Sequence, residues 1–271
     1  MDRIIEIIKY IILGIVQGIT EIFPVSSSGH LTIFSRILGM DLSNLTIFLM
    51  VTNTGSFLAL FFFFRKDIGD LITGTWKFIT KKDMTFKEDF NYVLKLLIAV
   101  VPIGIVGLLI KDYLPDDLLT VGFSLIVTGA LLFYVYYTRN VQWHRDITWK
   151  NALVIGAFQA FGVLPGISRS GITMIGGLTQ KIELKKVLKF SFLSYIIVSV
   201  PVMILGFYDA YHAVESIDFL GYGLAFVMSF VFSLISVKLL YQYVKVKNLI
   251  YFSIYCLTVG ILSIVLSIWV F

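Results

Sequence analysis

Six stretches of the chain, at about 45–64, 91–110, 118–137, 187–208, 219–243 and 249–271, are apolar over roughly 20 residues each. A helix of about 20 residues rises about 30 Å, the depth of a bilayer's hydrocarbon core. At that depth the chain must satisfy its own backbone donors and acceptors, so each run reads as a spanning helix. The chain is therefore expected to be an all-α polytopic membrane protein. Composition agrees, with 58% hydrophobic and 14% charged residues, against about 25% charged in soluble domains.

Two further apolar stretches, about 4–39 and 151–182, are broken by polar, glycine-containing kinks that resemble one another. The first is Gln17-Gly-Ile-Thr-Glu-Ile-Phe-Pro-Val-Ser-Ser-Ser-Gly-His30, and the second is Gln159-Ala-Phe-Gly-Val-Leu-Pro-Gly-Ile-Ser-Arg-Ser-Gly171. At a constant offset, Gly14, Gln17, Ser26, Ser28 and Gly29 match Gly156, Gln159, Ser168, Ser170 and Gly171. Pro24 and Pro165 each remove a backbone donor and disfavour helix at the preceding residue. Both stretches are expected to be re-entrant hairpins, shielded by protein or lining a cavity. The first is not expected to be a cleaved signal, because it runs straight into the polar motif with no small-residue cleavage site.

With both hairpins re-entrant, the basic segments fall on one side: Arg65 to Lys87, Arg139 to Lys150, Lys181 to Lys189, and Lys245 with Lys247. The other side holds Arg3, Lys9, Arg36 and Lys111 beside the acidic loops Asp112–Asp117 and Asp209–Asp218. The basic side is expected to be cytoplasmic, with both termini outside. The hairpins then enter from opposite faces. This makes residues 1–137 and 151–271 inverted repeats of a single integral membrane domain, with their tips meeting near the midplane.

The net charge of +5 suits cytoplasmic loops and anionic lipid, and no nucleic-acid partner is expected. Trp143, Trp149, Tyr136 and Tyr137 are expected to anchor at membrane edges. The lone cysteine, Cys256, excludes an internal disulfide and a Cys-based metal cluster, and reads as core packing.

At the tips, Ser26, Ser27 and Ser28 precede a predicted short helix beginning near Gly29, and Ser168 and Ser170 precede its counterpart. Serine caps helix N-termini, whose first N–H groups lack partners and favour anions such as phosphate. Arg169 adds a planar fork that grips phosphate oxygens in pairs. Singly, the serines are explained by capping; with Arg169 in the same turn, anion binding is the better account. Glu21 then calls for a bridging Mg2+ or Ca2+, or for use as a base. Gln17 lies one turn before it on the same face. His30 suits a nucleophile, acid or base, and Ser27 a nucleophile if His30 reaches it.

Other polar residues carry less. His144 and His212 fall in charged loops. Gly14 and Gly18 read as a close helix contact. Asn53, Thr54 and Ser56 either line the cavity or bond neighbouring helices.

Together the two motifs closely resemble the signatures of the undecaprenyl-diphosphate phosphatase family, also called the bacitracin-resistance family. The resemblance extends to length, motif spacing and span pattern. The family's (Glu/Gln)-x-x-x-Glu element falls on Gln17 and Glu21, and its Pro-Val-Ser-Ser-x-Gly-His turn on Pro24 to His30. The phosphate-binding Ser-Arg falls on Ser168 and Arg169, with its Thr at Thr173. The resemblance implies that a divalent cation assists removal of the terminal phosphate of a C55 polyprenyl diphosphate on the outer side of the plasma membrane. That would regenerate the lipid carrier for cell-wall precursors. It also implies six spans and two re-entrant hairpins. Asn53-Thr54-Gly55 departs from the family's frequent Gln-Leu-Gly.

The expected catalytic set is thus Glu21, Ser27, His30 and Arg169. Gln17, Ser26, Ser28, Ser168, Ser170 and Thr173 are expected on substrate, and Glu21 on the metal. Expected partners are the polyprenyl diphosphate and membrane lipids; a homodimer stays open. Two rivals remain: a polyprenyl-phosphate flippase using Glu21 and His30 as a proton-coupling pair, and an inactive lipid-binding paralogue.

Overall fold

The computed structural model describes residues 2–40, 45–110, 113–115, 117–141, 146–212 and 218–269. Lys111, Asp112, Asp116, Trp143, His144 and Arg145 lie outside them, as do the side chains of Asp209 and His212. No strand occurs among the described residues.

The first kinked stretch gives α1 (Asp2–Thr20) and α2 (Ser27–Ile37), and α3 (Leu45–Phe63), α4 (Arg65–Lys81), α5 (Lys87–Ile110) and α6 (Leu118–Tyr137) follow. The second kinked stretch gives α7 (Trp149–Ala160) and α8 (Arg169–Leu178). The chain closes with α9 (Leu184–His212), α10 (Phe219–Tyr243) and α11 (Leu249–Trp269).

Five helical stretches are long and apolar enough to cross a membrane: Met84–Ile110, Leu118–Tyr137, Leu184–Tyr208, Phe219–Tyr243 and Val246–Trp269. A sixth arises only if α3 and α4, which meet at a 69° bend, count as one broken span. The basic segment after residue 64, read as loop charge, is therefore helical. Its apolar residues Ile68, Ile72, Trp76 and Ile79 recur at helical spacing, and the last three are exposed. An exposed apolar row beside lysines suits the interfacial layer of a bilayer.

Glycine sets how closely the kinked stretches approach their neighbours. α1 lies on α10 and α7 on α5. A Cβ on Gly14 would meet Ala225 Cα at 2.8 Å, and one on Gly156 would meet the Ala99 carbonyl oxygen at 2.7 Å. Matched positions of the two stretches are therefore both pressed against a partner backbone at an alanine. Gly18 makes a similar approach to α10.

The polar residues of α3 divide by role. Ser56 bonds Ser229 and Ser233 of α10, each at 2.9 Å, and Ser233 donates onward to the Gly18 carbonyl at 3.1 Å. Thr54 donates to its own helix. Asn53 instead turns to the first motif. At the N-terminal end of α10, Asp218 caps the helix through Gly221 N–H and pairs with both guanidinium nitrogens of Arg3 at 2.8 Å. Those Arg3 hydrogen bonds hold the Asp218 carboxyl below the usual carboxylate range.

Candidate active site

Each kink ends in a serine-capped helix, and the caps correspond. Ser26 Oγ accepts from Gly29 N–H at 3.3 Å, and Ser168 Oγ accepts from Gly171 N–H at 3.1 Å. Both helices begin earlier than Gly29 and its counterpart, at Ser27 and Arg169. These two residues thus hold the same first helical position in their respective copies. Such a position is held near unbonded helix N–H groups.

The tips meet. Ser170 Oγ donates towards the Glu21 and Phe23 carbonyls at 3.3 and 3.4 Å, and Gly166 N–H reaches Ser28 Oγ at 3.5 Å. Gly166 turns the second tip at φ +87°, and a Cβ there would strike the Val121 carbonyl at 2.7 Å. Cys256, fully buried, reaches the Pro24 carbonyl with its thiol at 3.7 Å. That contact supports the first turn.

Glu21 is the hub. Its Oε1 accepts from Arg169 Nη2 at 2.9 Å, and its Oε2 accepts from Gln17 Nε2 at 3.0 Å and from Ser27 Oγ in a short hydrogen bond. Gln17 also donates to Asn53 Oδ1 at 2.7 Å. Arg169 lies over the ring of Tyr195 at 4.1 Å. Glu21, Gln159, Arg169, Ser170, Thr173 and Tyr195 line a cavity of about 10 Å³, room for about one water. The cavity is smaller than a phosphate, and the two opposite charges of the cluster satisfy one another.

His30 has both ring nitrogens bonded within the fold. Nδ1 must donate to the Ser26 carbonyl, 2.7 Å away, because a carbonyl can only accept. In the neutral ring Nε2 then accepts from Tyr255 O–H at 2.7 Å, and the two rings stack within 6° of parallel. Both nitrogens are engaged, and Ser27 turns to Glu21 instead. Ser26 has φ +71°, a strained backbone for a residue with a Cβ, and the His30 ring helps to hold its carbonyl. Tyr255→Phe should remove one part-buried hydrogen bond, at a cost of about 1 kcal/mol. A fall of about 2–4 °C in melting temperature is the expected result; an unchanged transition would show that the bond adds nothing.

Several expected substrate contacts are already used within the fold. Ser26 and Ser168 are 2% exposed caps, and Thr173 Oγ1 donates to the Arg169 carbonyl at 2.6 Å. Ser28 and Ser170 bond their cap serines at 3.4 and 3.3 Å. Tyr195 and Gln159 join the cluster, and Tyr255 joins His30, without having been marked as candidates; only Gln159 carried a usable signal, its match to Gln17.

The donor set can be tested against a divalent cation. No group of three or more His, Cys, Asp or Glu side chains converges among the described residues, and Glu21 is the carboxylate of the cluster. Gln17 Oε1, however, is buried without a hydrogen-bond partner, an orphaned acceptor one turn from Glu21. A carboxylate and an amide oxygen fit a cation that completes its shell with substrate oxygens, as Mg2+ commonly does.

Helices of spanning length surround a part-buried Ser–Glu–Arg cluster where two helix N-termini meet, which defines a multi-pass helical membrane protein with a charged cluster at its core. Comparison with known proteins makes this specific. The family described as bacitracin resistance protein BacA matches residues 10–262, and the chain belongs to that family. It is 56% identical to the undecaprenyl-diphosphatase of Acholeplasma laidlawii, over 99% of this chain and 100% of the relative. It is 36% identical to that of Oceanobacillus iheyensis over 96% of both chains, and 35% identical to undecaprenyl-diphosphatase 1 of Bacillus cereus over 98% and 99%.

Proposed function

We infer that the chain hydrolyses undecaprenyl diphosphate to the monophosphate and inorganic phosphate. The observation that carries this is the junction of Ser27, Glu21 and Arg169 at two facing helix N-termini, in a chain 56% identical to a protein of that name. The flippase alternative finds no support among these relatives.

The chemistry starts with the diphosphate drawing Arg169 from Glu21 Oε1, since the guanidinium has donors for phosphate oxygens and the cavity must open. Ser27 Oγ attacks the terminal phosphorus while its proton passes to Glu21 Oε2. The bond to the bridging oxygen breaks, and undecaprenyl monophosphate leaves, taking that proton. Water, deprotonated by the same carboxylate, then attacks the phosphorus on Ser27; the Oγ–P bond breaks, Glu21 returns the proton to Ser27 Oγ, and phosphate leaves. The N–H groups at the starts of α2 and α8, with Arg169, face the charge that builds on the phosphoryl oxygens. Of the two candidate nucleophiles, Ser27 is preferred because its hydroxyl already bonds a carboxylate, whereas His30 is engaged on both nitrogens. His30 is a positioning residue for the first tip. A divalent cation held by Glu21 and Gln17 Oε1 would add charge neutralisation at the diphosphate. Every residue used lies on one chain, so a homodimer is not required.

We place this site between two inverted repeats, 1–137 and 151–271, with hairpins 4–39 and 151–182 re-entrant among six spans. The matched caps and matched glycine contacts support that arrangement, and the basic segments support outward termini. The deciding experiment is phosphate release from undecaprenyl diphosphate by the purified chain, with and without chelator. Release without any ion gradient is the expected result. Movement of polyprenyl phosphate between leaflets with no phosphate release would overturn the reading.

A further inference from the structure

The two repeats each bring a glutamine to the junction, and the two side chains are left unsatisfied at opposite ends. Gln17, fully buried, uses its NH2 on Glu21 and Asn53 and leaves Oε1 without a partner. Gln159, 1% exposed, has the reverse defect: its Nε2 is buried with no acceptor. Sequence explains the difference. At the offset that relates Gln17 to Gln159, Glu21 becomes Val163. The carboxylate that accepts from the first glutamine has no counterpart for the second.

A buried donor left unbonded is unfavourable, and a helix position filled by glutamine could have been filled by leucine at no such cost. Gln159 lines the same small cavity as Glu21, Arg169 and Thr173. Its neighbours across that cavity include the guanidinium that would take the phosphate. An anion entering there brings the acceptor that the fold withholds.

We propose that Gln159 is a substrate-binding residue, donating its carboxamide N–H to a non-bridging oxygen of the diphosphate gripped by Arg169. The duplicated glutamine has thereby divided into two polarities. One presents a carbonyl oxygen towards a cation or proton donor, and the other presents an amine face towards an anion. This rests on the diphosphatase reading of the site.

The test uses the full chain in detergent and two variants, Gln159→Leu and the near-isosteric Gln159→Glu. Three readouts are taken: kcat/KM for phosphate release from undecaprenyl diphosphate, melting temperature, and the shift of that temperature by inorganic pyrophosphate. Loss of one hydrogen bond to a charged group predicts a fall in kcat/KM of about 10- to 100-fold for Gln159→Leu, and a larger fall for Gln159→Glu, which sets a carboxylate against the anion. The Gln159→Leu protein should melt no lower than the wild type, because it loses an unsatisfied donor, and both variants should lose the pyrophosphate shift. A kcat/KM within threefold of wild type in both variants would overturn the proposal. So would a lowered melting temperature with the pyrophosphate shift retained, the behaviour of a packing residue. Should the wild type release no phosphate, the diphosphatase reading falls, and the pyrophosphate shift alone decides on Gln159: present in wild type and lost in both variants, it sustains the anion contact; absent in wild type, it ends it.

Discussion

Ser27→Ala is expected to reduce phosphate release from undecaprenyl diphosphate by about 10⁴-fold, in the range seen when a covalent nucleophile is deleted. Ser27 opens α2, and its hydroxyl donates to Glu21 rather than to the backbone. The capping role belongs to Ser26, so the substitution leaves the helix start intact and the melting temperature nearly unchanged. Glu21→Gln should fall by about 10²- to 10⁴-fold, the usual contribution of a general base. A brief reaction with substrate labelled in its terminal phosphate, quenched in acid, should leave label on the wild type and none on Ser27→Ala. Retention of more than a tenth of the wild-type rate by Ser27→Ala would remove serine from the mechanism and leave direct attack by water.

Arg169→Ala should lower kcat/KM by at least about 10³-fold, the scale on which a preformed donor to transition-state charge acts. Arg169→Lys keeps the positive charge but loses the planar fork and its stacking on Tyr195, so it should recover only about tenfold of that loss. The pair of variants separates charge from geometry. It also guards against a folding artefact, since removing Arg169 outright leaves Glu21, whose side chain is 7% exposed, without its counterion. Equal activity of the lysine variant and wild type would show that Arg169 acts as a point charge and not as a fork.

Much of the site was legible because polar and glycine residues stand out against apolar runs. The matched serines, with Pro24 and Pro165, located both turns, and Gly14 and Gly18 announced a close helix contact. What stayed hidden depends on partners far along the chain. Tyr255 lies in an apolar run and looks like any packing aromatic; only the fold brings its hydroxyl to His30, 225 residues away. For that reason the partners of the histidine, chemically the most versatile residue of the motif, could not be read from sequence. The helices α2 and α8 begin two residues before Gly29 and Gly171 because the first serine of each motif, Ser26 and Ser168, takes the cap and the later serines are already helical. The helix α4 was taken for loop because its lysines and aspartates were read as solvent charge, although its apolar residues keep helical spacing. Asn53, Thr54 and Ser56 fall within four residues of one another, yet they turn to three different partners: a site glutamine, their own helix and a neighbouring one.

The ion pair between Glu21 and Arg169 also bears on turnover. A lone arginine at such a depth would hold an anionic product tightly, and a tight product complex makes release the slow step. Here the carboxylate waits beside the guanidinium as a tethered competitor that needs no diffusion to return. On the proposed mechanism, Glu21 would reclaim the arginine and displace phosphate once a single grip remains. The residue that starts each cycle as a proton acceptor would thus end it as an internal eluent, resetting a charge-neutral core before the next lipid arrives.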